Sequence, residues 1–286
     1  MTYSLRQMAL DDKICQQNQL DIFEKVYPRE HILDLLTELN AWEDRERLLN
    51  MMNIFLVMLA AGIWTRLSYP SVLRRLNQPL HVLGYDVHHK MPSASAISQR
   101  RKQLGPDLFQ CLFERACLPM TNPQTKGAFR FGRRIMAIDG TVQDVPDTLA
   151  NREAFGRSRN QKGEGPFPQI RWVSLSECGS HAIVDVEMSG LAQGERTSSY
   201  ALLRSVTSEM FVLNDSGFSG AVWWRKLREK GAHGMGPLPV HHLPTYCHLL
   251  EDGSYLAAYL PAKGDDQRSK HPLLIRVIEY RITDER

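Results

Sequence analysis

The hydrophobic period of this 286-residue chain changes partway along, and that change requires two structurally different parts. Up to about Met120 apolar residues recur three and four apart. Ile32, Leu35, Leu36 and Leu39 fall on one helical face, with Pro28 where a first turn tolerates it. Leu48–Trp64 is apolar nearly all round and predicts a buried helix; its longest apolar run, Ile54–Trp64, is about half a membrane span. Ser93 can cap a helix through Ile97 to Leu104, and Gly105-Pro106 separates it from another through Leu108, Leu112 and Phe113. The segment Thr121–Gly127 has the composition of a linker, and beyond it the period becomes that of strands.

Four runs read as strands: Ile135–Ile138, Ile170–Leu175, Ala182–Val186 and Met210–Leu213. The turn Glu177–Ser180 joins the second and third as a hairpin. Arg196–Glu209 reads as one helix and Ala221–Lys230 as another. From Gly231 the chain is rich in Gly, Pro and His, then turns β-like at Tyr255–Leu260 and Leu273–Ile282. The expected plan is a helical domain over residues 1–120, a linker over 121–132, a mixed-sheet core over 133–230 and a β-rich region over 231–286. Its class is α+β or α/β.

Composition removes several alternatives. The apolar fraction of 43% and charged fraction of 23% are those of a soluble, core-forming protein. Five scattered cysteines without a C-x-x-C pair suggest neither a disulfide framework nor a zinc knuckle, which fits a reducing, cytoplasmic setting. Met1–Leu20 lacks a signal-peptide core, and no membrane partner is expected. There is no G-x-x-x-x-G-K-[ST] or G-x-S-x-G, so no nucleotide cofactor and no serine-hydrolase centre is expected. His241, His242 and His248 with Cys247 match no zinc spacing. The net charge of +3 permits nucleic-acid binding without requiring it.

Asp139 and Asp215 are delivered in the same way, each at the end of a run too uniformly apolar for a one-sided surface strand. Such runs belong to central strands, and ligand sites in open sheets collect at strand C-termini. Two carboxylates there repel unless a cation lies between them, and oxygen ligands suit Mg²⁺ or Mn²⁺. Asp-Gly and Asp-Ser-Gly are also ordinary turn signals, so the residues alone leave a turn-forming role equally open.

The surrounding motifs add to this. Ala137-Ile-Asp-Gly-Thr141, Asp147-Thr, Asn151-Arg-Glu-Ala-Phe-Gly156 and Arg157-Ser resemble the first catalytic block of insertion-sequence transposases of the four-type DDE family. Pro168–Leu175, Cys178–His181, Asp185–Met188 and Gly194-Glu195 continue the resemblance in order, and Leu213-Asn-Asp215-Ser-Gly-Phe-Ser219 is similar to the second block. Pro92–Ser98 with Arg100–Gly105 resembles the helical N-terminal domain, and Leu256 with Ile275–Tyr280 resembles strands of a β-rich insertion. The resemblance implies an RNase H-like core in which Asp139 and Asp215 are the first two metal-binding acids, holding two Mg²⁺ or Mn²⁺ ions in an intact site. It also implies cleavage of transposon ends and their joining to target DNA, with double-stranded inverted-repeat ends as partner and a homodimer as the working form.

Within that frame Arg152, Arg157, Arg159 and Lys162, in the polar loop after the first acid, are candidate phosphate contacts. Arg100, Arg101 and Lys102, with Arg74 and Arg75, are a candidate end-binding face, for which a solvated helix surface is an equal reading. The sequence departs from the family in three places. The family's third acid, a Glu in a Tyr-x-x-Arg-x-x-x-Glu motif, has no counterpart; Glu229, Glu251, Glu279 and Glu285 lie downstream of Asp215 without that context. Ser216 stands where the family usually has Arg, and Gly231–Gly236 stands where it has a strand, as though that strand were lost. The expectation is a truncated chain, weakly active or inactive alone, with a non-catalytic DNA-binding remnant or inhibitor as the alternative.

Overall fold

A computed structural model describes residues 28–41, 49–82, 92–160, 163–238, 243–261 and 271–280. The chain divides into two compact units, Met1–Ala116 and Cys117–Arg286.

The first unit is helical: α1 (Arg29–Glu38), α2 (Met51–Ile63), α3 (Tyr69–Val82), α4 (Ala94–Leu104) and α5 (Asp107–Ala116). Pro28 precedes α1 with φ −54°, where its missing N–H costs nothing. The Asn50 side chain accepts the Asn53 N–H at 2.8 Å to start α2, and Ser93 accepts the Ala96 N–H at 3.2 Å to start α4. Ile32, Leu35 and Leu36 bury the inner face of α1 against Ile54, Phe55 and Val57 of α2, with Val72, Leu76, Ile97 and Leu108 completing the core. Leu39, which continues the apolar spacing of α1, is its C-cap and lies at the surface.

The second unit contains β1 (Phe129–Arg130), β2 (Arg133–Asp144), α6 (Leu149–Phe155), β3 (Arg157–Asn160), β4 (Gly163–Glu177), β5 (Ile183–Gly190), α7 (Glu195–Ala201), β6 (Met210–Asn214), α8 (Ala221–Glu229) and β7 (His233–Met235). A separate antiparallel sheet of β8 (Thr245–Leu249), β9 (Tyr255–Tyr259) and β10 (Leu273–Val277) follows, in the order β10-β9-β8. In the large sheet β2 lies between β4, antiparallel, and β6, parallel; β5 pairs antiparallel with β4, and β7 pairs parallel with β6. The run β5-β4-β2-β6-β7 is a mixed sheet, and the class is α+β as expected. One face carries the core: Met136 and Ile138 of β2, Val173 and Leu175 of β4 and Val212 of β6 pack against Leu202, Leu203, Phe218, Trp223 and Leu227.

Four local readings change. The strand thought lost is present as β7, its residues His233, Gly234 and Met235 paired with Phe211, Val212 and Leu213. A parallel edge strand needs backbone partners, not an apolar side-chain pattern, so a Gly-rich segment can form it. Its glycines also serve close packing, since a Cβ on Gly234 would meet the Leu227 side chain at 2.7 Å. The predicted helix over 196–209 ends at Ala201 and passes through a 3-10 turn at Leu202–Arg204. The Ser205–Ser208 run that follows favours turns over helix, and Ser205 Oγ donates to Asp185 at 2.5 Å. The polar segment after Asp139 is not a loop but α6 and β3. Finally, the linker-like segment begins inside the second unit, where the Met120 and Thr121 N–H groups donate to the buried Glu177 carboxylate.

Candidate active site

The parallel ladder between β2 and β6 runs from Arg134 and Met210 to Ile138 and Asn214. The next residue on each strand is an aspartate, so Asp139 and Asp215 leave adjoining strands at the same level. β2 does not stop there: it pairs with β4 alone from Asp139 opposite Ser174 to Asp144 opposite Gln169. Asp139 is therefore mid-strand, at the end of the β2–β6 ladder, and not in the Asp-Gly turn that the sequence left open. Strand alternation sets it opposite the core side chains of Met136 and Ile138.

Both carboxylates are exposed. Asp139 Oδ1 accepts the Gly140 N–H at 2.8 Å. Asp215 Oδ1 accepts the N–H groups of Gly217 at 2.8 Å and Phe218 at 3.3 Å, so it also shapes the turn into α8. That turn is fixed from beneath by buried Asn214, whose Nδ2 donates to the Asp215 carbonyl at 2.8 Å and to Ser219 Oγ at 3.0 Å, while its Oδ1 accepts from Trp223 Nε1 at 3.3 Å. Trp223 is thus core, and its indole N–H is used inside the protein.

The first turn of α7 touches both strand ends. A Cβ on Gly140 would meet the Glu195 carboxyl carbon at 2.9 Å, so the missing side chain is what admits Glu195 beside the residue following Asp139. Arg196 reaches the other end, where its Nη2 donates to the Gly217 and Ser219 carbonyls at 3.4 Å. Arg171 backs this corner, its Nε 3.8 Å from Glu195 Oε1 and its Nη1 donating to the Gln193 carbonyl. Sequence reasoning read Gly194-Glu195 only as part of a resemblance and did not select Glu195 or Arg196. The available signal was their position at a helix start between two sheet strands.

Among the described residues no three His, Cys, Asp or Glu side chains converge on a point where they would hold a metal unaided. Two exposed carboxylates suit a cation that fills the rest of its shell with water and substrate oxygens, which is how Mg²⁺ is commonly held.

Residues 17–114 match the family described as insertion element 4 transposase N-terminal. Over 226 residues the chain is 27% identical to InsZ of Escherichia coli (strain K12), a protein named as a transposase, covering 76% of this chain and 71% of InsZ. Over 147 residues it is 24% identical to the transposase InsG for insertion sequence element IS4 of the same organism, covering 49% of this chain and 33% of InsG. The chain is related to IS4-type transposases. Among solved structures, the cryo-EM structure of a piggyBac transposase synaptic complex with hairpin DNA is similar at a TM-score of 0.43 and 12% identity, over 95% of this chain and 64% of that one.

The candidate DNA contacts are not equivalent. Asp147 accepts Arg152 Nε at 2.6 Å and Nη2 at 2.7 Å, and Arg157 Nη2 at 2.6 Å. These two guanidiniums hold the Asp147 carboxyl far below the usual carboxylate range. Arg159, on β3, is exposed and only 3.4 Å from Glu164 Oε1. Lys162 lies outside the described residues, as do His241 and His242. In the first unit Arg100 is 8% exposed and donates from Nε to the Leu49 carbonyl at 3.0 Å, so it braces the helices from inside and does not share an exposed face with its neighbours. Arg101 and Lys102 are exposed; Arg101 donates to Tyr69 Oη at 3.1 Å and lies over its ring. No described helix is long and apolar enough to cross a membrane.

Proposed function

We propose that this chain is a metal-dependent DNA transposase subunit that cuts transposon ends and joins them to target DNA at Asp139 and Asp215. The observation that supports this reading is the register of β2 and β6, whose last Cα partners, Ile138 and Asn214, are each followed by an aspartate. Relationship to transposases over most of the chain supports the choice of DNA as substrate.

In the proposed reaction a water, and later a DNA 3′-hydroxyl, attacks a phosphodiester phosphorus as the P–O bond to the departing oxygen breaks. Asp139 and Asp215 would hold Mg²⁺ or Mn²⁺, which supplies charge to activate the attacking oxygen and stabilise the leaving one. The protein's own part is positional. The Gly217 and Phe218 N–H groups fix the Asp215 carboxylate, Asn214 holds the Asp215 backbone carbonyl, and the β2–β4 ladder fixes Asp139. Preset ligands avoid reorganisation in the reaction, where misplacement is expensive. Arg101, Lys102, Arg152, Arg157 and Arg159 would contribute salt-sensitive phosphate contacts, Arg152 and Arg157 by exchanging Asp147 for DNA.

Nicking of a supercoiled plasmid by the full chain, with and without Mg²⁺ or Mn²⁺, tests this. Metal-dependent nicks lost in both Asp139→Asn and Asp215→Asn are expected. Duplex binding without any nicking would favour the second reading, a DNA-binding inhibitor. Nicking that survives both substitutions would remove the reading.

A further inference from the structure

The corner is anionic: Asp139 and Asp215 follow the last Cα partners of one ladder, and Glu195 lies against Gly140, the residue after Asp139. A DNA phosphate entering it needs a cation. Ser216 supplies none, and the nearby Arg171 is already held between Glu195 and the Gln193 carbonyl.

Arg196 is differently placed. It is exposed, and its Nη2 makes two long hydrogen bonds, both 3.4 Å, to the Gly217 and Ser219 carbonyls. Its Nη1 lies 3.8 Å from where a Cβ on Gly220 would stand. Among the described residues it has no carboxylate partner, unlike Arg152, Arg157 and Arg204, which are paired with Asp147 and Asp185. A guanidinium has five donors in a rigid fork. Two stretched bonds to carbonyls tether one edge of that fork to the loop bearing Asp215 and leave other donors for solvent.

We propose that Arg196 is the phosphate-binding cation of the catalytic corner, supplying from α7 the charge that residue 216 does not. The inference rests on the proposed transposase reading. It assigns Arg196 to direct contact with the DNA backbone next to the acids, where it would anchor the strand and offset the negative charge on the non-bridging phosphate oxygens. The tether explains how a long side chain is kept at one spot: the Gly217 and Ser219 carbonyls orient it without neutralising it.

A backbone contact is independent of sequence, so a short random-sequence duplex is an adequate probe. Its binding to the full chain is measured in metal-free buffer across a salt series for wild type, Arg196→Gln, Arg196→Lys, Asp139→Asn and Asp215→Asn, with melting temperatures alongside. Arg196→Gln is expected to weaken binding about tenfold and to reduce the slope of log affinity against log salt by about one. Arg196→Lys, which keeps the charge but not the fork, should retain the wild-type slope. The aspartate variants should bind at least as well as wild type.

A wild-type slope in Arg196→Gln overturns the assignment, most clearly if Arg196→Gln and Arg196→Lys lose the same melting temperature, the behaviour of a loop strut. Should Arg196→Gln not fold, a reduced slope in Arg196→Lys overturns it and a wild-type slope supports it. If metal-dependent nicking by wild type still requires Asp139 and Asp215, that failure leaves the transposase reading intact. A wild-type chain that binds no duplex at low salt overturns both.

Discussion

Ile138 and Asn214 are the last Cα partners of the parallel β2–β6 ladder, and an aspartate follows each. Everything proposed for the chemistry depends on that register. A slip of one residue would turn one carboxylate to the core face and break the pair. The register is held on both sides, by β4 against β2 and by β7 against β6.

The β7 side gives the first prediction. A Cβ on Gly236 would lie 2.5 Å from Asn214 Nδ2 and 2.7 Å from the Asn214 carbonyl oxygen, and backbone does not yield easily. Gly236→Ala should cost about 1–3 kcal/mol in denaturant titration and weaken nicking through the Asp215 turn. Gly194→Ala, with nothing within 4 Å of its added Cβ, is the matched control and should change stability little.

Glu177 gives the second. It is fully buried, ion-paired with Arg134 and hydrogen-bonded by Thr121, Ser180 and the Met120 N–H. Burial pushes its carboxyl up, but the hydrogen bonds from Ser180, Thr121 and the Met120 and Thr121 backbone outweigh it and bring it down to about 2 from the usual 4.5. A depressed folded-state value stabilises the fold above the unfolded value and loses that contribution as pH falls from 4.5 to about 2. Glu177→Gln should lower stability at neutral pH by about 3 kcal/mol and flatten the acid limb of the stability profile across that window. An unchanged acid limb would show that other groups govern it.

Arg100 and Lys102 give the third, because they are two residues apart and serve different purposes. Arg100→Ala leaves the Leu49 carbonyl without its 3.0 Å partner and should destabilise the first unit by about 1–3 kcal/mol. Lys102→Ala should leave thermal stability unchanged and reduce low-salt duplex affinity. Equal melting curves for the two variants would contradict this division.

Much of the architecture is legible in the chain itself. Ser93 and the spacing of Ile32, Leu35 and Leu36 mark helices because side-chain capping and apolar periodicity are local properties. The runs ending at Ile138 and Leu213 mark central strands for the same reason. What escaped was nonlocal. β7 has no apolar pattern, and its pairing with Phe211–Leu213 is set by a neighbour about twenty residues away in sequence. Glu195 and Arg196 look like an ordinary helix start until the sheet brings Gly140 and Gly217 to them. Arg100 reads as one of three surface cations because charge alone does not reveal that its donors face inward.

The central claim is that Asp139 and Asp215 form one cation site. Titration of Mn²⁺ by electron paramagnetic resonance, with duplex DNA present, tests it most directly on wild type, Asp139→Asn and Asp215→Asn. The account predicts that either substitution weakens the same Mn²⁺ site by at least about 100-fold while duplex binding persists. Wild-type Mn²⁺ binding in both variants, or loss in one with full retention in the other, would contradict it.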